Sequence, residues 1–400
     1  MRLPLVFILM TTMIDSIGIG LIIPVMPALL REIGNVPLAD AAMWGGVLMT
    51  AFAAMQFLFG PVIGALSDRY GRRPILLIAL FVMTLDYLVM AIAQTFWLLL
   101  AGRIIGGITA ATQSTASAFM ADISEPHEKA ARFGLIGAAF GMGFVIGPLI
   151  GGLLAEFGTR APFYGAAALS AANMVFGYFV MPETVTDRTR RPLTWARTNP
   201  LGAFLNVGLN PRLRNLLILF FAYQVAFMVY PAVWAYFTEA RFGWSPGMIG
   251  LSLGAFGMAM AIVQGGLIRF ILNWLGDRGT VIYGIVFNFF AFLVLGFVES
   301  GPVAMLFIPL TALGAVVTPA VQGMMSRATP DDSQGELQGV LSSSAALATI
   351  FSPLAMTYAF AVFAAEDADP YMPGAPFLLS AILMFVCLFA ILSTRRTVQS

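Results

Sequence analysis

Charged residues are scarce in this chain of 400 residues, since Asp, Glu, Lys and Arg make up 10% of it, whereas 59% of the residues are hydrophobic. The mean hydropathy is +0.88. A soluble fold needs a polar exterior that so few charges cannot supply, so lipid must be the solvent for much of the surface. The 40 glycines and 23 prolines fit a membrane, because neighbouring helices satisfy freed backbone groups there and glycine allows close helix approach.

Cysteine, histidine and an excess of basic charge are also nearly absent. The single cysteine, Cys387, cannot form an internal disulfide, so the fold does not require an oxidising compartment. The net charge of +1 argues against nucleic-acid binding, which needs a dense basic face. No nucleotide-binding loop, metal-ligand cluster or nucleophile–base pair is visible in the sequence. We therefore expect no enzyme activity, no metal site and no cofactor.

Long apolar stretches account for most of the chain, and a spanning helix needs roughly 20 apolar residues. The sequence offers twelve such stretches, at residues 3–30, 41–67, 73–93, 95–121, 130–157, 161–182, 213–238, 246–274, 279–299, 301–327, 335–364 and 374–394. One long polar interruption divides them into two sets of six. The sequence predicts an all-α integral membrane protein with an N-terminal six-helix bundle (1–182), a cytoplasmic linker loop (183–212) and a C-terminal six-helix bundle (213–400).

The distribution of basic residues predicts the orientation of these helices. With both termini in the cytoplasm, only Arg31, Arg160 and Arg241 of the 21 basic residues fall in outer segments. Acidic residues show no such bias. This asymmetry is what the positive-inside rule describes, so we expect both termini to be cytoplasmic.

The two predicted halves share short sequence matches. The Asp-Arg pair at 68–69 recurs at 277–278. Phe133-Gly134 followed by Pro148 is matched by Gln338-Gly339 followed by Pro353. Parallel six-helix repeats around a central cavity are typical of transporters, whose substrate site lies near the membrane midplane. The repeat therefore predicts a transporter.

Three charged residues lie inside predicted membrane helices. Asp15 and Asp86 are each about halfway along a helix, and Arg103 lies in the fourth. Charged side chains are costly in a membrane and usually face a bundle interior or a water-filled path. We expect the two acids to be proton or cation sites. The alternatives are that Asp15 is a neutral acid bonded to a nearby helix, and that Asp86 and Arg103 only neutralise each other.

The turn at residues 64–74 carries one acid and three arginines between two long apolar segments. Its Asp68 ends the second helix, where the macrodipole disfavours an acid, so we expect it to face a cation or the capping-box pattern at 333–336. We interpret the turn as a conformational latch; the alternative is a topology signal. The motif residues are Gly64, Asp68, Arg69, Gly71, Arg72 and Arg73, with Asp277 and Arg278 as a second copy that lacks the following arginines.

Two further groups are candidates for function. The fifth helix presents a glycine-lined surface with a proline bend, which indicates either close packing or a rocking hinge; it includes Gly143, Gly147, Pro148, Gly151 and Gly152. Amide and aromatic side chains are unusual in so apolar a chain. Those we expect to bind substrate are Gln56, Gln113, Tyr223, Gln224, Trp234, Gln264, Asn288 and Gln322. For the aromatic residues, the alternative is a lipid-facing stripe.

These motifs together resemble a known family. The Gly-x-x-x-Asp-Arg-x-Gly-Arg-Arg pattern at 64–73, the Gly-Pro-x-x-Gly-Gly pattern at 147–152 and the Asp-x-x-Gly-x-Gly-Leu-x-x-Pro pattern at 15–24 are similar to those of the major facilitator superfamily. Within it the chain resembles the twelve-helix drug–proton antiporters, most closely the tetracycline efflux proteins. The resemblance implies proton-coupled efflux of cationic or metal-chelated amphipathic drugs by alternating access, in the bacterial inner membrane, by a monomer.

By this resemblance Asp15, Asp86 and Arg103 match intramembrane charges important for export, and Gln56 matches a polar position of the second helix. The chain departs from the tetracycline exporters at Asn288, where they carry an acid, and at Met260, where they carry a histidine. An amide cannot deliver a proton, so the ninth-helix proton site does not carry over. Two alternatives stay open: a facilitator or proton symporter for another metabolite, and a membrane receptor without transport.

Overall fold

The computed structural model describes residues 3–110, 112–125, 127–186, 199, 211–330 and 333–393. Every regular element in these ranges is a helix. The helices are α1 (Leu3–Ile22), α2 (Met26–Gly34), α3 (Leu38–Tyr70), α4 (Arg72–Ile92), α5 (Phe96–Thr109), α6 (Thr112–Asp122), α7 (Lys129–Leu154), α8 (Ala161–Val180), α9 (Pro211–Phe227), α10 (Val229–Phe242), α11 (Pro246–Ile262), α12 (Ile268–Phe297), α13 (Gly301–Thr311), α14 (Val317–Arg327), α15 (Gln334–Phe363) and α16 (Ala375–Ser393).

Within the described ranges, eleven helical segments are long and apolar enough to cross a membrane. One of them, Pro246–Phe297, has 52 residues, which at 1.5 Å per residue is about 78 Å and far exceeds the ~30 Å hydrocarbon core. Its backbone leaves the helical conformation at Gly276, with φ 66° and ψ 175°. Because only glycine adopts this conformation readily, the segment turns there, between the predicted eighth and ninth helices.

The predicted fourth and tenth helices are each broken near the middle, which the sequence analysis did not anticipate. In the fourth, α5 ends at Thr109 and α6 begins at Thr112. In the tenth, α13 ends at Thr311 and α14 begins at Val317. Phe96–Asp122 and Gly301–Arg327 are nevertheless each long and apolar enough to be one membrane span, so the predicted fourth and tenth spans are confirmed and the interruptions are additional features.

The chain forms two compact units. Unit 1 comprises Met1–Val36, Ala51–Pro200 and Ser245–Gly254, and unit 2 comprises Pro37–Thr50, Leu201–Trp244 and Ala255–Ser400. Helices α3 and α11 are thus each divided between the units. The predicted two-bundle boundary stays a prediction, and most of the predicted linker lies outside the described residues.

In unit 1, α1 packs along α7 and α8, and α4 packs on α5, α6 and α8. Its core contains Phe7, Ile8, Leu76, Leu80 and Phe119. In unit 2, α16 packs on α9 and α12, and α15 packs on α9 and α10. Burial of these large apolar side chains holds each unit together.

Many large apolar side chains remain on the outside. Among the most exposed are Trp274 (85%), Phe179 (79%), Leu306 (77%), Phe389 (76%) and Trp97 (74%). Water would not tolerate so much exposed apolar surface, whereas lipid does. With the apolar helices described above, this surface is that of a multi-pass membrane protein.

Candidate functional site

Asp86 and Arg103 form an enclosed ion pair between α4 and α5. Their side chains are 4% and 12% exposed, and an Arg103 Nη2 contacts Asp86 Oδ2. A Cβ atom at Gly102 or Gly106 would lie 2.9 or 2.8 Å from the Asp86 carboxylate oxygens, so these glycines make room for the acid. The Arg103 guanidinium lies 5.1 Å from the centre of the Phe52 ring.

This geometry matches the mutual neutralisation that the sequence left open. Even so, Asp86 Oδ1 and Arg103 Nε are buried and find no hydrogen-bond partner in the described part of the chain. A role for the pair in proton coupling stays a prediction. Removing either partner would leave an uncompensated buried charge.

Asp15 lies in α1, where its carboxyl group is beside the Thr112 hydroxyl of α6. Tyr87, which follows Asp86 in α4, is also close to it. Asp15 Oδ1 and Thr112 Oγ1 are both buried without a hydrogen-bond partner in good geometry among the described residues. An ionisable group so placed is a candidate for proton exchange.

Arg72 is the centre of the turn between α3 and α4. Its guanidinium lies 2.5 Å from Asp68 Oδ1, 3.2 Å from Asp122 Oδ2 and 2.7 Å from Ser67 Oγ. The predicted cation partner of Asp68 is therefore Arg72, one helical turn along the chain. Gly71 connects the helices with φ 115°, a conformation that favours glycine.

The first turn of α4 is capped from outside its own chain segment. The Glu183 carboxylate, just after α8, accepts hydrogen bonds from the backbone N–H groups of Arg72 at 2.9 Å and Arg73 at 3.2 Å. Thr184 Oγ1 donates to Asp122 Oδ2 at 2.9 Å. These bonds satisfy orphan helix donors and favour negative charge at the positive end of α4.

One detail of the predicted latch differs from expectation. Ser333 makes no side-chain capping bond to α15, so the predicted capping box was wrong. Gln334 instead bonds back to Ser326 and Thr329. Arg69 is exposed and lies over the Tyr70 ring.

The second copy of the turn also forms polar contacts. Asp277 pairs with Arg327 at the end of α14. Arg278 donates to the Leu392 carbonyl at 3.4 Å. A latch function for either copy stays a prediction.

The glycines of α7 meet two neighbouring helices. A Cβ at Gly147 would lie 2.6 Å from Ile17 O, and Gly143 and Gly151 likewise face the α1 backbone. Gly152 faces α11 instead, where its Cβ would lie 2.8 Å from Pro246 O. The surface therefore serves close packing on two sides, and the hinge role of Pro148 stays a prediction.

The predicted substrate residues occupy two kinds of position. Tyr223 and Trp234 are enclosed in unit 2, where Tyr230 is packed among Phe227, Trp234, Phe256, Phe292 and Phe377. The alternative of a lipid-facing aromatic stripe was therefore wrong. Gln56 and Gln264 are exposed, and Gln224 and Gln322 are half-buried. The side chain of Gln113 lies outside the described residues.

Asn288 is fully enclosed. Its Nδ2 donates to Tyr223 Oη at 3.1 Å and to Gly314 O at 2.9 Å, and Tyr223 Oη donates to Gly314 O at 3.2 Å. These contacts give Asn288 a structural role at the broken tenth helix. Substrate binding by Asn288 stays a prediction.

Comparison with known proteins decides the family. The family model described as Major Facilitator Superfamily matches residues 8–313 and 215–400. The chain belongs to the Major Facilitator Superfamily. It is 40% identical over 387 residues to the tetracycline resistance protein, class C, of Escherichia coli. The alignment covers 97% of this chain and 96% of the relative.

More distant relatives also match along most of the chain. The chain is 27% identical to multidrug resistance protein 2 of Bacillus subtilis, over 87% of this chain and 86% of the relative. The crystal structure of the human organic anion transporter MFSD10 superposes with a TM-score of 0.71 at 25% identity, over 97% of this chain and 99% of that one. Both alignments extend over the two halves of the chain rather than one.

The sequence analysis missed several residues that take part in the polar contacts described above. Glu183 and Asp122 were not singled out, although each lies next to the end of a membrane helix, where a carboxylate can reach a neighbouring cap. Thr112 and Thr115 were also missed. Their spacing of three places them on one helix face, which was the available signal.

Proposed function

We propose that this protein exports amphipathic drugs, with tetracyclines as the first candidates, in exchange for protons. The observation that carries the proposal is the Asp15 carboxyl group in the middle of α1, with a buried oxygen that has no hydrogen-bond partner in good geometry among the described residues. Such a carboxyl group is expensive in a membrane and marks a functional site. The resistance named in the relatives' descriptions supports a drug as the substrate.

The proposed cycle alternates the access of Asp15 between the two sides of the membrane. From outside, a proton reaches the carboxylate and removes the charge that holds a cationic or metal-chelated drug, which then leaves. After the change of access, a drug molecule from the cytoplasm displaces that proton. The protein then returns with its cargo.

The proton gradient supplies the driving force of this cycle. One charge that crosses 100 mV is worth about 2.3 kcal/mol, which corresponds to roughly 50-fold accumulation. In this proposal Asp86 is a second proton site. Its protonation would release Arg103 from the ion pair, so that a charge inside unit 1 becomes free when the proton arrives.

The setting of the protein is part of the proposal. We infer a bacterial inner membrane with both termini in the cytoplasm, in which the protein acts as a monomeric transporter and not as an enzyme. It uses protons as the coupling ion and no cofactor. The Arg72-centred turn acts as a conformational latch of the cycle.

Transport by purified protein in liposomes with an imposed pH gradient tests the proposal. We expect Asp15→Asn to abolish gradient-driven tetracycline uptake into liposomes that hold the protein in the inverted orientation. Asp40→Asn, at an exposed acid in the first turn of α3, is the matched control and should transport like the wild type. Gradient-driven transport by Asp15→Asn at the wild-type rate would overturn the proposal.

Asn288 favours a second candidate function, transport of another metabolite by facilitation or proton symport. Its network with Tyr223 and Gly314 O contains no acid, so unit 2 has no proton site at this point. Counterflow of labelled substrate without any dependence on the gradient would favour this function. A susceptibility panel of tetracyclines, cationic dyes and fluoroquinolones, with and without expression, separates the two.

A further inference from the structure

The breaks in the fourth and tenth helices occur at equivalent points of the two halves. Ala110 ends α5 with φ −71° and ψ 34°, and Ala315 ends the turn after α13 with φ −73° and ψ 14°. The two residues are 205 positions apart, which is also the distance between the matching patterns at 133–134 and 338–339. A helix break deprives carbonyl groups of their helical partners, and inside a membrane such groups need others.

A glutamine from another helix supplies that partner at both breaks. Gln56 of α3 donates from Nε2 to Ala110 O at 3.0 Å. Gln264 donates from Nε2 to Ala315 O at 3.4 Å, and it lies in the π-helical turn Val263–Leu267 between α11 and α12. The same amide-to-carbonyl contact thus occurs once in each unit.

The two breaks differ in what lies beyond them. At the tenth helix, the neighbouring carbonyl of Gly314 accepts from Asn288 and Tyr223, which carry no charge. At the fourth helix, Thr112 begins α6 beside the Asp15 carboxyl group. The start of a helix carries partial positive charge and stabilises a carboxylate.

Two hydroxyl groups support a functional role for the break in the fourth helix. Thr112 and Thr115 are 1% and 2% exposed, and neither Oγ1 has a hydrogen-bond partner in good geometry among the described residues, although the Thr112 hydroxyl lies beside the Asp15 carboxyl group. Buried hydroxyls without partners are rare because they cost free energy. Because Thr112 lies beside the Asp15 carboxyl group, this end of α6 is a candidate place for the carboxyl group to exchange its proton.

We propose that Gln56 is a positioning residue for proton exchange at Asp15, acting through Ala110 and the first turn of α6. By holding the Ala110 carbonyl, Gln56 keeps the start of α6 and the Thr112 hydroxyl against the carboxyl group. Gln264 makes the same contact at a break without an acid, so we expect it to have no effect on proton exchange at Asp15. The inference rests on the proposed proton exchange at Asp15.

The test compares Gln56→Met with Gln264→Met, since methionine keeps the length of glutamine but cannot donate. Transport by each variant in liposomes is measured as a function of pH, together with the infrared band of protonated carboxyl groups. We expect Gln56→Met to move the pH midpoint of transport and of the band by about one unit towards alkaline pH, because the carboxylate loses the start of α6. Gln264→Met should keep the wild-type midpoint.

Other results would overturn the inference. An unchanged midpoint in Gln56→Met, or equal shifts in both variants, contradicts the positioning role. A raised KM with an unchanged midpoint would mean that Gln56 only contacts substrate. If Gln56→Met does not reach the membrane, Gln56→Asn replaces it, since the shorter amide cannot span the same distance and should shift the midpoint equally.

The outcome also distinguishes this inference from the proposed function. A wild-type protein whose transport ignores the pH gradient removes the proposed function itself. A proton-coupled wild type together with a wild-type midpoint in Gln56→Met removes only the role of Gln56.

Discussion

Asp277 and Arg327 form an ion pair that repeats the Arg72–Asp122 pair of the other half with the two charges exchanged. Asp277 follows Arg72 by 205 positions, and Arg327 follows Asp122 by the same number. Each pair links the start of one membrane helix to the end of the next one. The contact is therefore common to the two halves, whereas the sign at each position is not.

The two pairs should contribute differently to stability. Asp277 and Arg327 are 41% and 60% exposed, whereas Arg72 is 12% exposed and contacts two further side chains. Arg327→Ala should cost about 0–1 kcal/mol, as exposed pairs do. Arg72→Ala should cost at least about 2 kcal/mol, because several charge-assisted hydrogen bonds are lost. Thermal unfolding of both purified variants in detergent measures the difference, and equal costs would contradict this interpretation.

Glu183, which follows the end of α8, should stabilise α4 by capping its first turn. Glu183→Ala leaves the Arg72 and Arg73 backbone N–H groups without their carboxylate acceptor, so we expect a loss of about 1–2 kcal/mol. Glu366→Ala, at an exposed acid far along the chain, is the control and should be neutral. Hydrogen exchange of the first turn of α4 should rise in Glu183→Ala, and unchanged exchange would refute the cap.

The packing role of the α7 glycines can be tested with two substitutions in the same helix, one at a packed glycine and one at an open glycine. Gly147→Val would force a side chain against Ile17 O and separate α1 from α7, so we expect a loss of more than about 2 kcal/mol and little protein in the membrane. Gly137 lies on the same helix, and no described atom outside the adjoining part of that helix lies within 4 Å of its Cβ position. Gly137→Ala should be neutral or stabilise by up to about 1 kcal/mol. Membrane yield and thermal stability compare the two, and similar behaviour would contradict the packing role.

Variants of the Asp86–Arg103 pair can distinguish its contribution to stability from its contribution to transport. Arg103→Leu leaves a buried carboxylate alone and should cost about 3–5 kcal/mol. The double variant with Asp86→Asn removes that charge and should recover most of the stability, but not proton-coupled transport. A double variant that transports with the wild-type pH dependence would show that the pair is only structural.

Much of the fold follows from hydropathy, because lipid demands apolar helices of a fixed length. The eighth and ninth helices were predicted on either side of Gly276, where a charged turn interrupts the apolar pattern. The breaks at Ala110 and Ala315 could not be predicted, since alanine favours helix and the contacts that Gln56 and Gln264 make with the open backbone are tertiary. Polarity, together with the family resemblance in the case of Gln56, marked these glutamines as substrate contacts.

The candidate site was partly visible in the sequence. Charge in a membrane helix singled out Asp15, Asp86 and Arg103, and the ion pair between the last two was among the alternatives. The capping pattern at Ser333 misled, because the spacing of a capping box does not determine whether its side chains adopt it. The capping role of Glu183 depends on how α8 meets α4, which local sequence does not encode.

Proton release on drug binding is the most direct test of exchange at Asp15. Tetracycline is added to the purified protein in weakly buffered detergent solution, and the pH change is recorded for the wild type, Asp15→Asn and Asp40→Asn. The account predicts that drug binding releases protons from the wild type and from Asp40→Asn, and that a large part of this release is lost in Asp15→Asn. Full proton release by Asp15→Asn, with drug binding intact, would contradict it.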